Sequence, residues 1–398
     1  MDLILTNCNV VDVRDGSVKQ ESTVTISGNT IQEVRQKSSL SEDGKIIDMR
    51  GYYLLPGLIN VHNNLSHVFP FKDINLSESP AETVLRCYRA AHDALLSGVT
   101  TLRTVGEIHR ADLSLRKMID TKWVDGPRII AGGKGLCITG GHGSHLGQVE
   151  ADNPDEFRKA ARKELALGAQ HLKIFITGGI AVKGETFEEP QMTEEEMRAV
   201  ATVARSKGTY VCAHAGSSHP ISIAIRAGVK CIEHAYILDK QTAREMKNND
   251  CYLVPTLSVT RSPGWMKEHS FEPWTIEKAV SAGKQHLESA RVAVEEGVKI
   301  VNGTDLPPGD LSDGVTVTVR ELEYLVEAGL SPIEAIMAST IRAAELCQIS
   351  KMVGLVEEGF VADIIAVPDN PLQDVKAMEK IRFVMRDGCV FRNEIQST

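Results

Sequence analysis

Two hydrophobic periods divide this chain. From Asp2 to Gly57, apolar and polar positions alternate in DLILTNCNVVDV, STVTISGNTIQEVRQ and GKIIDMRGYYLLPG, and the DGS, SGN and EDG clusters between them have hairpin-turn chemistry. The same style returns near the other end, in VEEGFVADIIAVPDN and KIRFVMRDGCVFRN. Between these ends the pattern changes. Eight near-continuous apolar runs, LLPGLINVH, VTTLRTV, PRIIAGG, HLKIFIT, TYVCAHA, KCIEHAY, CYLVPTL and VKIVNGTD, are each followed by a polar loop and an amphipathic stretch. A strand that is apolar without interruption is buried on both faces, as in a parallel sheet covered by helices.

The amphipathic stretches carry helix boundaries of their own. In MTEEEMRAVATVARSKG, Thr193 and Glu196 form a capping box, Met192 and Met197 are spaced as a hydrophobic staple, and Gly208 is a suitable residue to follow the last turn. Eight strands alternating with helices predict an α/β fold, a (β/α)8 TIM barrel, over residues 56–354. The strand-rich ends, 1–55 and 355–398, are expected to combine into one small β domain.

Composition narrows the function classes. The 398 residues are 42% hydrophobic and 24% charged, ordinary for a globular protein. The net charge of −9 is spread without a basic block, which argues against a nucleic-acid partner. No run approaches the ~18 consecutive apolar residues of a membrane span. The N-terminal stretch has no positive n-region and no small-residue cleavage site, so it does not read as a signal peptide. The eight cysteines include no CxxC pair and several sit in apolar runs, which predicts reduced, buried thiols and a cytoplasmic protein.

In such a barrel the chemistry sits at the C-terminal ends of the strands. Those ends supply His62, Lys173, His214, His234 and Asp305. Taken singly, each histidine has an ordinary structural reading. Converging on one rim, three histidines and an aspartate suit a zinc-like ion, with imidazole nitrogens at about 2.0–2.1 Å. Lys173 stands where an apolar residue is expected, and reads either as a buried cation seeking a partner or as a lysine carboxylated by CO2.

The motifs LLPGLINVHNN (against the form PGxxDxHxH), GVTTLRTVG, KIFITGG, AHA, CIEHA, LVPTL, NGTD and GLVEEGFVADIIAV resemble those of the amidohydrolase superfamily over nearly the whole chain. TGGHGSH and the pairing of IEHA with LVPTL are similar to the branch of imidazolonepropionase and of metal-dependent Xaa-Arg, Xaa-Lys and Xaa-Pro dipeptidases. The resemblance implies a β-sandwich built from both chain ends beside the barrel. It implies one or two divalent ions, zinc first, held by His62, Asn64, a carboxylated Lys173, His214, His234 and Asp305, with Asp305 as the general base. Oligomerisation into a homo-oligomer is expected on the same ground.

One ligand position departs from the family. Asn64 replaces the second histidine of the HxH pair, and an amide oxygen is a poorer ligand for a zinc-like ion than imidazole. His67, three residues on, is an alternative ligand. Such an HxN pair also occurs in family members that hydrolyse phenylureas and thiocarbamates. Thr104 stands where the family often has Asp.

Around these lie weaker candidates. His142 reads as a catalytic or substrate-binding residue that polarises the carbonyl, or as a loop-stabilising histidine. Tyr236 is a candidate donor to a substrate oxygen, or a packed rim aromatic. Arg261 and Trp265 lie in the long segment after the seventh strand and are candidate substrate contacts, Arg261 and Arg103 as clamps for a carboxylate. His145 and His219 are loop histidines within reach of a pocket. The acidic KGETFEEPQMT segment after the fourth strand reads as a lid or, more simply, as solvated surface.

The function expected is metal-dependent hydrolysis of a C–N bond, the amide of an N-acyl amino acid or dipeptide, by metal-activated hydroxide with a small-molecule substrate. A urea or carbamate is the alternative substrate, and a catalytically silent scaffold the alternative of another class. Deamination ranks last, because HAGSSHP after the fifth strand lacks the glutamate that chemistry usually uses.

Overall fold

The computed structural model describes residues 2–36 and 44–395, so Glu42 and Asp43 of the EDG cluster lie outside the described residues. Leu3–Val11 pairs antiparallel with Val18–Ser27, which pairs with Thr30–Gln36. It also runs parallel to Lys45–Asp48 and Tyr53–Pro56. Ile364–Val367 then joins Tyr53–Pro56 antiparallel and continues to Phe383–Arg386 and Cys389–Asn393. One sheet therefore draws its strands from both ends of the chain. Its apolar face, with Leu5, Val24, Ile26, Leu54, Ile364 and Phe383, forms a core of its own.

All eight apolar runs of the middle contain a strand. Leu58–Asn63, Val99–Thr104 and Arg128–Ile130 pair in parallel. Leu172–Phe175, Val211–Ser217, Cys231–Ile237, Tyr252–Val254 and Lys299–Ile300 pair in a second parallel series. Two backbone bonds connect the series: Gln170 N–H donates to Ala131 C=O at 2.8 Å, and Val61 N–H to Asn302 C=O at 2.9 Å. Alternate residues of one strand feed different cores. Cys212 packs with Ile59, Val61, Ile130 and Val254, while its neighbour Ala213 packs towards the helices with Phe157 and Val200.

Helix Glu194–Ser206 begins as its sequence predicts. The Thr193 hydroxyl accepts from Glu196 N–H at 3.3 Å, and the Glu196 carboxylate accepts from Thr193 N–H at 2.8 Å. Met192 and Met197 are both buried, and Gly208 takes a φ of 72°. One feature differs from the sequence reading. The glycine-rich segment after the third strand contains two short strands, Leu136–Cys137 and Val149–Glu150, which extend the second series at its edge through Leu136 and Ile174. Two-residue strands leave no usable hydrophobic period, so the pattern reads as loop.

Seven cysteines are buried and Cys389 is exposed, all of them free. Among the described residues, no helix is long and apolar enough to cross a membrane. Replacing Thr193 with Ala removes one half of the capping box; the expected cost is about 1 kcal/mol, read as a lower midpoint in chemical denaturation.

Candidate active site

Below the strand ends lies a buried ion pair. Arg103, fully buried in the second parallel strand, donates from Nη2 to Glu233 Oε1 at 2.6 Å and from Nε to Val61 C=O at 2.5 Å. The second oxygen of Glu233 lies 2.7 Å from His62 Nδ1. Burial alone raises the Glu233 carboxyl, but Arg103 and His62 outweigh it and hold it well below the usual carboxylate range. With Nδ1 committed, His62 presents Nε2 to the cavity, 3.2 Å from Asp305 Oδ1.

Consecutive strand residues normally face opposite sides. Glu233 and His234 nevertheless both approach His62, the rings of His62 and His234 lying 5.0 Å apart. The backbone makes this possible: His234 and Ala235 have φ of 75° and 54°, and the same left-handed region recurs at Thr256 and Asp305. Such strain at non-glycine residues persists only where surrounding contacts impose it. His234 Nδ1 is held by Thr256 Oγ1 at 2.7 Å, and Asp305 N–H donates to His62 C=O at 3.0 Å. Gly303 allows that approach, since a Cβ there would come within 2.7 Å of His62 Cβ.

The result is a group of ligand atoms from His62, His234 and Asp305 within 4.8 Å of one another. His214 adjoins it, its ring 4.6 Å from His234. Burial and neighbouring imidazoles hold both His214 and His234 well below the ordinary histidine range, so each keeps a free lone pair. Burial raises the Asp305 carboxyl, yet His62 and Lys173 pull it below its ordinary value. Lys173 lines the same cavity, and its buried Nζ has no hydrogen-bond partner. Asn64 presents its amide NH2 to Asp305 Oδ1 at 2.7 Å. An NH2 is a donor and no ligand, so in this arrangement Asn64 orients the aspartate.

The loops add a second layer. His142 lines the cavity with its Nδ1 2.6 Å from Glu185 Oε2 and its ring stacked on His214 at 4.3 Å. Glu185 belongs to the acidic segment for which the sequence offered a lid or a solvated surface, and the structure turns this one side chain inward to His142. Burial raises its carboxyl, but the bond to His142 lowers it overall. Tyr236 lines the cavity with its ring stacked on His234 at 5.3 Å. His67 is a cavity-wall residue whose Nε2 is buried without a partner, and burial lowers it to about 4.

Five candidates from the sequence do not line the cavity. Arg261 points away from the cavity to Glu327 at 2.6 Å and stacks over Tyr324 at 4.6 Å. Trp265 lies behind the wall, its Nε1 donating to Asp310 at 3.2 Å and its ring packed on Phe69 at 5.1 Å. Arg103 is spent on Glu233, so neither arginine is free to clamp a carboxylate. His219 is exposed and His145 packs on His142 outside the cavity wall. Thr104 does have a polar task, donating to Asp112 Oδ2 at 2.8 Å, a carboxylate that also accepts from Gly133 N–H.

Comparison with known proteins agrees with this architecture. The family model described as Amidohydrolase family matches residues 53–390. The chain belongs to the amidohydrolase family. It is accordingly a hydrolase acting on carbon–nitrogen bonds, with the α/β fold of that superfamily and a cluster suited to the metal dependence general there. Ochratoxinase from Aspergillus niger is 28% identical over 377 residues, covering 85% of this chain and 75% of that protein. A solved Xaa-Pro dipeptidase with methionine in its active site superposes with a TM-score of 0.88 at 30% identity, covering 99% of this chain and all of that one. A solved prolidase complexed with N-methylphosphonate-L-proline gives a TM-score of 0.90 at 27% identity, again over 99% of this chain and all of that one.

Sequence reasoning missed Glu233, Thr256 and Glu185. Glu233 had a signal in the sequence, a carboxylate inside an apolar strand directly before His234. Glu233→Gln leaves the Arg103 guanidinium buried without its counter-ion. The expected loss is about 3–5 kcal/mol of stability, measured as a fall in the chemical-denaturation midpoint relative to wild type.

Proposed function

We propose that the protein is a metal-dependent amidohydrolase that cleaves the amide of an N-acyl amino acid or dipeptide. The observation that carries this reading is the coincidence, in one cavity, of the His62, His234 and Asp305 cluster with a buried lysine whose Nζ has no partner. An unpaired ammonium is costly away from water. Carboxylation by CO2 turns Lys173 into an anion and removes that cost once cations lie opposite, so the donor set fits one or two divalent ions, zinc first.

On this reading His62, Lys173, His214, His234 and Asp305 hold the metal, and Asn64 aligns Asp305. When bound, a divalent ion supplies Lewis acidity. Asp305 takes the proton of the attacking water and returns it to the departing nitrogen. His142, kept in place by Glu185, polarises the carbonyl oxygen, and the Tyr236 hydroxyl donates to a second substrate oxygen. The parallel strands are read as a (β/α)8 barrel over 56–354, with the mixed sheet as a β-sandwich from 1–55 and 355–398. The two backbone bonds between the strand series support closure of the barrel.

Asn64 favours a second reading, a urea or carbamate substrate on the same site, because an HxN pair accompanies that chemistry elsewhere in the superfamily. Elemental analysis separates the stoichiometries. Near two metal equivalents per chain is the expected result for a binuclear dipeptide or N-acyl amino acid hydrolase; near one moves ureas and carbamates forward; no uptake of zinc, cobalt or manganese overturns the metal reading. Lys173→Ala is expected to lose metal and activity together, with partial rescue of both by a short carboxylic acid. Unchanged metal content in that variant removes Lys173 from the centre. Asn64→His is expected to raise metal occupancy, and an unchanged occupancy shows that residue 64 does not limit it.

A further inference from the structure

The cavity is divided by polarity. Loops after the third and fourth parallel strands contribute His142 and its partner Glu185. Loops after the first and seventh contribute Phe69, Phe71, Met266 and Phe271, all lining the cavity. These rings form one cluster: Phe69 lies 5.2 Å from Phe71 and 5.8 Å from Phe271, and Phe71 meets Phe271 edge-on at 5.6 Å. Trp265 backs Phe69 from behind, and an ion pair between Lys72 and Glu272 at 3.4 Å ties together the two loops that bear Phe71 and Phe271. Among the described residues lining the cavity, the only Lys, Arg, Asp or Glu side chains are Lys173 and Asp305, both at the metal cluster. The aromatic side therefore offers nothing to neutralise a charge.

We propose that Phe69, Phe71 and Phe271, with Met266, form a specificity pocket for a bulky, uncharged, preferably aromatic side chain of the substrate, positioned beside the scissile amide; this rests on the reading of the site as a hydrolase of N-acyl amino acids or dipeptides. Aromatic rings gain from edge-to-face and offset contacts beyond the area they bury. A lysine, arginine or glutamate side chain loses its hydration there with no counter-ion in return. The Nε2 of His67, buried without a hydrogen-bond partner and with its ring 5.9 Å from Phe71, gives this side a polar atom for a hydrogen bond to the substrate, and Thr275 also lines it. Substrates ending in Arg or Lys, which the sequence left open, are thereby disfavoured.

The test is a kcat/KM series for the metal-loaded enzyme on N-acetyl-Phe, -Leu, -Ala, -Lys and -Glu. N-acetyl-Phe is expected to exceed N-acetyl-Ala by about tenfold to a hundredfold, with the Lys and Glu derivatives slowest. In Phe71→Ala and Phe271→Ala the Phe/Ala ratio is expected to fall towards one; being a ratio within one preparation, it does not depend on the fraction folded. Equal rates for Phe and Lys derivatives in wild type, or an unchanged ratio in both variants, overturns the pocket. If none of the series is hydrolysed, the amide-hydrolase reading fails, and calorimetric titration then decides the pocket alone. N-acetylphenylalaninamide binding at least tenfold tighter than N-acetyllysinamide, with the difference lost in Phe271→Ala, supports it, and equal or absent binding overturns it.

Discussion

The centre of this molecule rests on a buried charge pair. Arg103 and Glu233 are withdrawn entirely from water and pair with each other at 2.6 Å, Glu233 also accepting from Cys231 Sγ two residues before it. Taking two charges out of solvent is expensive, and such a pair is weak evidence for net stability. Its consequence is positional. Glu233 spends one oxygen on Arg103 and the other on His62, so the first, second and sixth parallel strands are coupled through one carboxylate. The orientation of His62, and with it the direction of its free nitrogen, follows from that coupling.

Backbone strain completes what the ion pair begins. His234, Ala235, Thr256 and Asp305 occupy left-handed conformations at the ends of successive strands, where the chain leaves the sheet and turns to the cavity. Thr256 is joined to the imidazole of His234 and Asp305 to the backbone of His62. A rim assembled in this way brings ligand atoms of His62, His234 and Asp305 within 4.8 Å of one another. Beside them the buried Nζ of Lys173 has no hydrogen-bond partner and lies over the Phe175 ring at 5.2 Å.

The loops impose a second division, between hydrogen-bonding and apolar walls. His142, Glu185 and Tyr236 lie where polar substrate atoms need partners, while the phenylalanines from two other loops present rings without charges. Two cysteines lie beneath the rim: Cys231 Sγ donates to Glu233 Oε1 at 3.1 Å, and burial pushes Cys212, on the fifth parallel strand, up to about 11, so it remains a thiol.

The sequence by itself determined the strand and helix alternation, the capping box at Thr193, and five rim residues, His62, Lys173, His214, His234 and Asp305. It could do so because local periodicity and strand-end position are properties of short stretches of chain. Tertiary structure alone decided which long-range partners those residues meet. Neighbours on a strand face opposite sides, yet the left-handed turn at His234 lets both Glu233 and His234 reach His62. Composition made Glu185 a surface charge, yet the fold closes its loop over His142. Arg261 and Trp265 had the chemistry of substrate contacts and the right place in the chain, but the helices after the seventh strand turn one towards Glu327 and the other behind Phe69. Side-chain direction in a loop depends on what packs against it, and that is set by residues up to about a hundred positions away or more.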